Sequence, residues 1–221
     1  MPQFPYESAT LLLEGSAGPL EVVVDPADAA ATPQSCIAII CHPLSTDGGS
    51  MHNKVVTMVA RALRELGITT VRFNFRSVGA SAGDYDGGVG EQDDLRAVAA
   101  WVREHNPSHA LWLAGFSFGA YVSLCASAAL QPQALISVAP PVGRRPWDFS
   151  KVQPPANWLV VQGDADEIVD AQAVYQWLGS LPKPPQLVRM PDTSHFFHRK
   201  LIDLRGAIQH EVRRWLPDGS C

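Results

Sequence analysis

The sequence is short of charge. Asp, Glu, Lys and Arg make up 18% of its 221 residues, while apolar residues make up 46%. That balance excludes a disordered chain and a charged coiled coil. No apolar run approaches the roughly 18–20 residues of a membrane span, so no membrane partner is expected. The opening stretch MPQFPYESATLLLEG has no basic segment and only a three-Leu run, unlike a secretory signal. A basic excess is missing too. The net charge is −5 with mixed signs, which argues against nucleic acid as the main partner.

Cysteine is also scarce. Cys36, Cys41, Cys125 and Cys221 form no CxxC pair and no metal-ligand spacing. Cys36 and Cys41 fall on one expected strand with opposite parity, so they face opposite ways and do not bridge. A reduced, cytoplasmic protein is the simplest reading. At this length a chain buries roughly 70–75% of its unfolded surface, so its core needs no disulfide or metal. Glycine and proline, by contrast, are plentiful, at 17 and 18 residues. Either a flexible linker or many tight turns would account for them.

Their positions favour turns. Runs at Thr10 to Glu14 and Leu20 to Asp25 flank Gly15-Ser16-Ala17-Gly18-Pro19, a hairpin pattern. CIAIIC (Cys36 to Cys41) is a continuous apolar run, as in a strand covered on both faces. Helical spacing runs from Lys54 to Leu66, with Gly67 as its stop. Strands are expected at Thr69–Phe75, Ala110–Ala114, Ala134–Ala139, Asn157–Gln162 and Gln186–Met190. Helices are expected at Glu91–His105, Phe118–Leu130, Ala171–Leu181 and His198–Leu216. Strands alternating with helices of this length imply a mostly parallel sheet with helices on both faces. The opening hairpin adds antiparallel edge strands. Glycine and proline cluster between elements, so residues 1–221 read as one α/β domain.

Gly115-Phe116-Ser117-Phe118-Gly119 is a G-x-S-x-G sequence. A buried strand runs into it and a helix runs out of it, the setting of a nucleophile elbow. The elbow holds the serine in a strained backbone with its hydroxyl proud of the sheet. A serine needs a base, and the base needs an orienting acid. On this scaffold the chain order is Ser, acid, His. Both partners follow strands, at GDADEIVD (Gly163 to Asp170) and PDTSHFF (Pro191 to Phe197). Ligands bind at the carboxyl ends of parallel strands, so these segments share one edge of the sheet. His195 is the base by position, since His42 precedes the serine and His198 starts the last helix. Asp164, Asp166, Glu167 and Asp170 compete as the acid.

An acyl-transfer site also needs two amide donors for the oxyanion. Phe118, after the nucleophile, supplies one. His42-Pro43-Leu44-Ser45 follows an early strand, and Leu44 is the first choice for the other. His42 then braces that loop. Phe116, Phe118, Trp147, Phe149 and Phe196 form a possible apolar wall for the substrate. Gly49 to Lys54 fails the spacing of a phosphate loop, and His195-x-x-His198 lacks further metal ligands. Neither cofactor nor metal is expected. Arg76 with Glu91, Asp93 or Asp94 reads as a structural ion pair.

The blocks HPLSTDGGSMHNKVV, VRFNFRSVGASAG, LAGFSFGAYV, LISVAPPV, VVQGDADEIVD and MPDTSHFFHRKL span residues 42–201. They resemble the α/β-hydrolase superfamily, and within it small lidless bacterial serine hydrolases near the dienelactone hydrolases and CocE/NonD-type acyl hydrolases. The resemblance implies a central sheet of about eight strands and places the acid on Asp166 and the base on His195. Two features depart from it. Ser77 stands where R-G-x-G-x-S relatives carry glycine, and Ser117 stands where dienelactone hydrolases carry cysteine. Only 15 residues, Val142 to Ala156, occupy the place where a cap domain is often inserted. An open site for small-molecule acyl substrates follows, acting on esters, thioesters or amides. An acyltransferase or perhydrolase on the same triad is the alternative enzyme. A non-catalytic binding protein on a hydrolase fold is the third reading.

Overall fold

The computed structural model describes residues 1–216; Cys221 lies outside them. Eight strands form one sheet: β1 (Ala9–Gly15), β2 (Gly18–Asp25), β3 (Cys36–Cys41), β4 (Thr69–Phe73), β5 (Ala110–Phe116), β6 (Ala134–Val138), β7 (Asn157–Gly163) and β8 (Gln186–Met190). Their spatial order is β1-β2-β4-β3-β5-β6-β7-β8. The hairpin β1–β2 and its junction with β4 are antiparallel, and every other pairing is parallel. The helices are α1 (Lys54–Arg64), α2 (Gly90–His105), α3 (Phe118–Leu130), α4 (Ala171–Ser180) and α5 (Leu201–Val212). The fold is that of an α/β-hydrolase. Among the described residues no helix is long and apolar enough to cross a membrane.

Strand parity sorts the core into two layers. Ile37, Ile39 and Cys41 of β3 face α2, α3 and α4, while Cys36, Ala38 and Ile40 face α1 and α5. The central strands are therefore apolar throughout, because both faces are covered. Cys36 and Cys41 point to opposite layers, as their spacing requires. Each fully buried Leu or Ile contributes about 1.5–3 kcal/mol.

Most element bounds follow the sequence to within two residues; the last helix departs at both ends, closing at Val212 rather than Leu216 before a 3-10 turn at Arg213–Trp215. The last helix starts at Leu201 rather than His198, because Phe197 (φ 53°) and Arg199 (φ 60°) sit in the left-handed region, which no helix can include. Between β6 and β7, residues 139–156 hold only turns, so no cap covers the sheet edge.

Candidate active site

The carboxyl ends of β3, β5, β7 and β8 bring the site together. Ser117 has φ 52° and ψ −118°, a strained geometry for a side chain with a Cβ. Its neighbours enforce the turn. A Cβ on Gly115 would stand 2.2 Å from the Gly119 carbonyl oxygen. One on Gly119 would stand 2.3 Å from the Cys41 oxygen and 2.6 Å from that of His42. Only glycine lets α3 start this close to the end of β3.

Serine at a helix start ordinarily caps it by accepting a backbone N–H. Ser117 precedes α3 without doing so. Its Oγ lies instead 3.1 Å from His195 Nε2. His195 Nδ1 lies 2.8 Å from Asp166 Oδ2. The carboxylate accepts the Nδ1 proton, which leaves Nε2 free to accept from the serine hydroxyl. All three side chains are largely buried.

The Asp166 carboxylate has a full set of donors. Oδ1 accepts the N–H groups of Ile168 (2.9 Å) and Val169 (2.7 Å), and Oδ2 also accepts Gln162 Nε2 (3.0 Å). Burial pushes its pKa up, but the bonds from His195 and the two amides outweigh that and hold it below the ordinary value. The competing carboxylates have other partners. Asp164 accepts the Tyr175 hydroxyl, Glu167 accepts the His195 backbone N–H, and Asp170 caps α4 through the Gln172 N–H. The two loops are joined by Asp164 N–H to Met190 O and Ala165 N–H to Thr193 O. Gly163 makes that possible, since a Cβ there would stand 2.2 Å from Thr193 O.

Leu44 and Phe118 N–H have no acceptor among the described residues. His42 braces the loop that carries Leu44. Phe75 N–H donates to its Nε2 (3.0 Å), and its Nδ1 donates to the Pro43 carbonyl (2.6 Å). Burial pushes its pKa down to about 4, so it is a neutral strut at ordinary pH.

A small cavity of about 70 Å³ opens at Ser117 and His195, bordered by Pro43, Leu44, Trp147, Ile168 and Phe196, with Asp47, Asn53 and Arg144 as its polar rim. Three of the expected wall residues lie elsewhere. Phe116 is fully buried beneath His195, ring centroids 5.1 Å apart, and Phe149 is sunk between Tyr121 and Trp177. Phe118 is buried too and supports Trp147. The end of β5 and the start of α3 turn Phe116 and Phe118 inward, while Trp147, Phe149 and Phe196 sit in connections, where residue spacing does not set which side faces the core. Asp47 and Ile168 sit inside motifs marked by other residues, and Arg144 sits in the connection after β6; no spacing marks any of the three as lining a cavity. Asn53 both caps α1, through Val55 N–H, and borders the cavity.

Larger hollows lie away from this chemistry. One of about 520 Å³ is lined by Arg61, Arg64 and Arg72 with Asp25 and Asp28. Arg64 pairs with Asp28, and Arg72 with Asp25, so that cleft is a structural ion-pair lattice. Arg76 likewise pairs with buried Asp94.

The family described as alpha/beta hydrolase domain matches residues 45–210, and the chain belongs to it. It is 73% identical to a protein of Xanthomonas campestris described as an a/b serine hydrolase without lid. Coverage is 98% of this chain and 99% of that one, with a TM-score of 0.97. An alpha-beta serine hydrolase homologue from Coxiella burnetii is 44% identical over 94% of this chain and 99% of that one, TM-score 0.88. A curated relative, an uncharacterized protein of Rickettsia prowazekii, is 33% identical over 81% of this chain and 79% of its own length. The resemblance to lidless α/β serine hydrolases is thus shown.

Proposed function

We propose that this protein hydrolyses small or short-chain acyl esters through an acyl-enzyme on Ser117, with His195 as base and Asp166 as orienting acid. The observation that carries the reading is the continuous chain Ser117 Oγ, His195 Nε2, His195 Nδ1, Asp166 Oδ2, at 3.1 and 2.8 Å, on a strained elbow. His195 takes the hydroxyl proton as Ser117 Oγ bonds to the substrate carbonyl carbon. The carbonyl oxygen gathers negative charge against the amides of Leu44 and Phe118. His195 then gives its proton to the leaving alcohol as the ester C–O bond breaks. Water, deprotonated by the same imidazole, attacks the acyl-serine and restores the hydroxyl. Each oxyanion donor is worth about 3–4 kcal/mol of transition-state stabilisation.

The cavity of about 70 Å³ supports a short acyl group. The uncovered edge between β6 and β7 supports free entry of water, and so hydrolysis over transfer to another acceptor. The free thiols Cys36, Cys41 and Cys125 fit a reducing, cytoplasmic setting.

Ser117→Ala should lower kcat for p-nitrophenyl acetate by at least about 10⁴-fold and abolish labelling by a fluorophosphonate while the far-UV circular dichroism stays unchanged. Wild-type turnover in the alanine variant would refute the reading.

A further inference from the structure

Gln162 breaks the pattern of its strand. It stands next to last in β7, fully buried, on the face where Trp158 and Val160 are core. An apolar side chain would satisfy that place. The amide instead brings two donors and an acceptor oxygen that need partners. Only the donors find them, with Nε2 reaching Gly163 O (3.2 Å) and Asp166 Oδ2 (3.0 Å). Oε1 has no partner among the described residues. An orphaned buried acceptor is a standing cost that leucine or methionine would not carry. Local rules broken at such cost concentrate at functional sites.

What the cost secures is specific. Asp166 Oδ1 is held by two backbone amides, which no substitution changes. Oδ2 is the oxygen that accepts the hydrogen bond from His195 Nδ1–H, and Gln162 is the other side chain that donates to it. We propose that Gln162 is a positioning residue for the reaction. Its N–H fixes the rotation of the Asp166 carboxylate and draws electron density from Oδ2, so that the carboxylate orients His195 without over-stabilising its protonated form. This rests on the serine-hydrolase reading above.

The charged groups around the pair are engaged elsewhere. On the loop after β7, Asp164 holds Tyr175 of α4, Glu167 holds the His195 N–H, and Asp170 caps α4. From β8, Arg189 is the register partner of Gln162, and its guanidinium lies over the Tyr175 ring. Beyond β8, Asp192 and His198 are exposed. None of these side chains is hydrogen-bonded to Gln162, so an altered pH profile reports on Asp166 and His195.

The test is the pH dependence of kcat/KM for p-nitrophenyl acetate in Gln162→Leu and Gln162→Met, with thermal melts alongside. Without the N–H, the carboxylate holds the imidazolium more tightly, and the acid limb moves up by about half a pH unit. With His195 as the remaining partner of Oδ2, the carboxylate orients the base less firmly, and kcat falls about tenfold while KM stays within about twofold. The melting midpoint holds or rises, because the orphaned oxygen is gone. Gln162→Glu donates only while protonated, so its rate falls with rising pH where the wild type has reached its plateau. Superimposable profiles, or a lost rate with an unmoved acid limb and a lowered melt, would overturn the proposal. A wild type that neither hydrolyses the ester nor labels with a fluorophosphonate overturns both readings. A reactive wild type with indifferent Gln162 variants overturns this one alone.

Discussion

Gly119→Ala is the sharpest probe of how the fold builds the site. The added Cβ would stand 2.3 Å from the Cys41 oxygen and 2.6 Å from the His42 oxygen. Carbon and oxygen in ordinary contact sit about 3.3–3.6 Å apart, so α3 and the end of β3 must separate by about 1 Å. Neither side yields cheaply. Cys41 is bonded into the sheet beside β5, and His42 is tied to Phe75. Overpacking of this kind costs about 1–3 kcal/mol, and each kcal/mol lowers the melting midpoint of a chain this size by roughly 2–4 °C. The separation also pulls Phe118 N–H away from Leu44 N–H. A misplacement of about 1 Å costs on the order of 10²-fold in rate. Steady-state kcat on p-nitrophenyl acetate and a thermal melt read the two effects together. Gly179→Ala, where the Cβ meets nothing within 4 Å, is the control. A Gly119→Ala protein with wild-type kcat and melt would show that the close approach does not set the donors.

Two further outcomes follow from single residues. His42 is neutral in the fold with its pKa at about 4, against about 6.5 in the unfolded chain. The unfolded state therefore binds more protons between these values, so the His42 contribution is whole above pH 6.5 and is lost as pH falls toward 4, by about 3 kcal/mol in total. Urea unfolding across that range should show the slope, and a His42→Gln variant that kept it would assign it to another group. Ser77 is exposed with φ 69°, a conformation costing about 1–2 kcal/mol for a side chain with a Cβ. Ser77→Gly relieves it at some expense in chain entropy, so a gain of up to about 1 kcal/mol is expected in the same assay. A loss would mean that the Ser77 hydroxyl or Cβ stabilises the loop.

Much of the site was legible because local chemistry dictates it. A strand, a glycine-flanked serine and a helix in succession have the local pattern of an elbow, and the order Ser, acid, His is the one this scaffold carries. The choice among Asp164, Asp166, Glu167 and Asp170 was not legible from spacing, because four carboxylates in seven residues all lie within reach of one sheet edge. The family pattern pointed to Asp166, and hydrogen bonding in the fold gives each of the other three a different partner. The aromatic wall was half legible. Phe116 and Phe149 look like Trp147 and Phe196 in sequence, yet burial separates them. Gln162 was invisible, since a lone amide in an apolar strand carries no motif.

Shortage of charge, alternation of apolar runs with helical spacing, and the clustering of glycine and proline at connections determined the layered sheet, because burial on two faces and chain reversal depend on local pattern. Contacts between distant segments decided the rest. Gly119 against Cys41, Gly163 against Thr193 and His195 against Asp166 depend on separate segments brought within reach by the parallel register. Such distances arise only when the whole sheet closes around them.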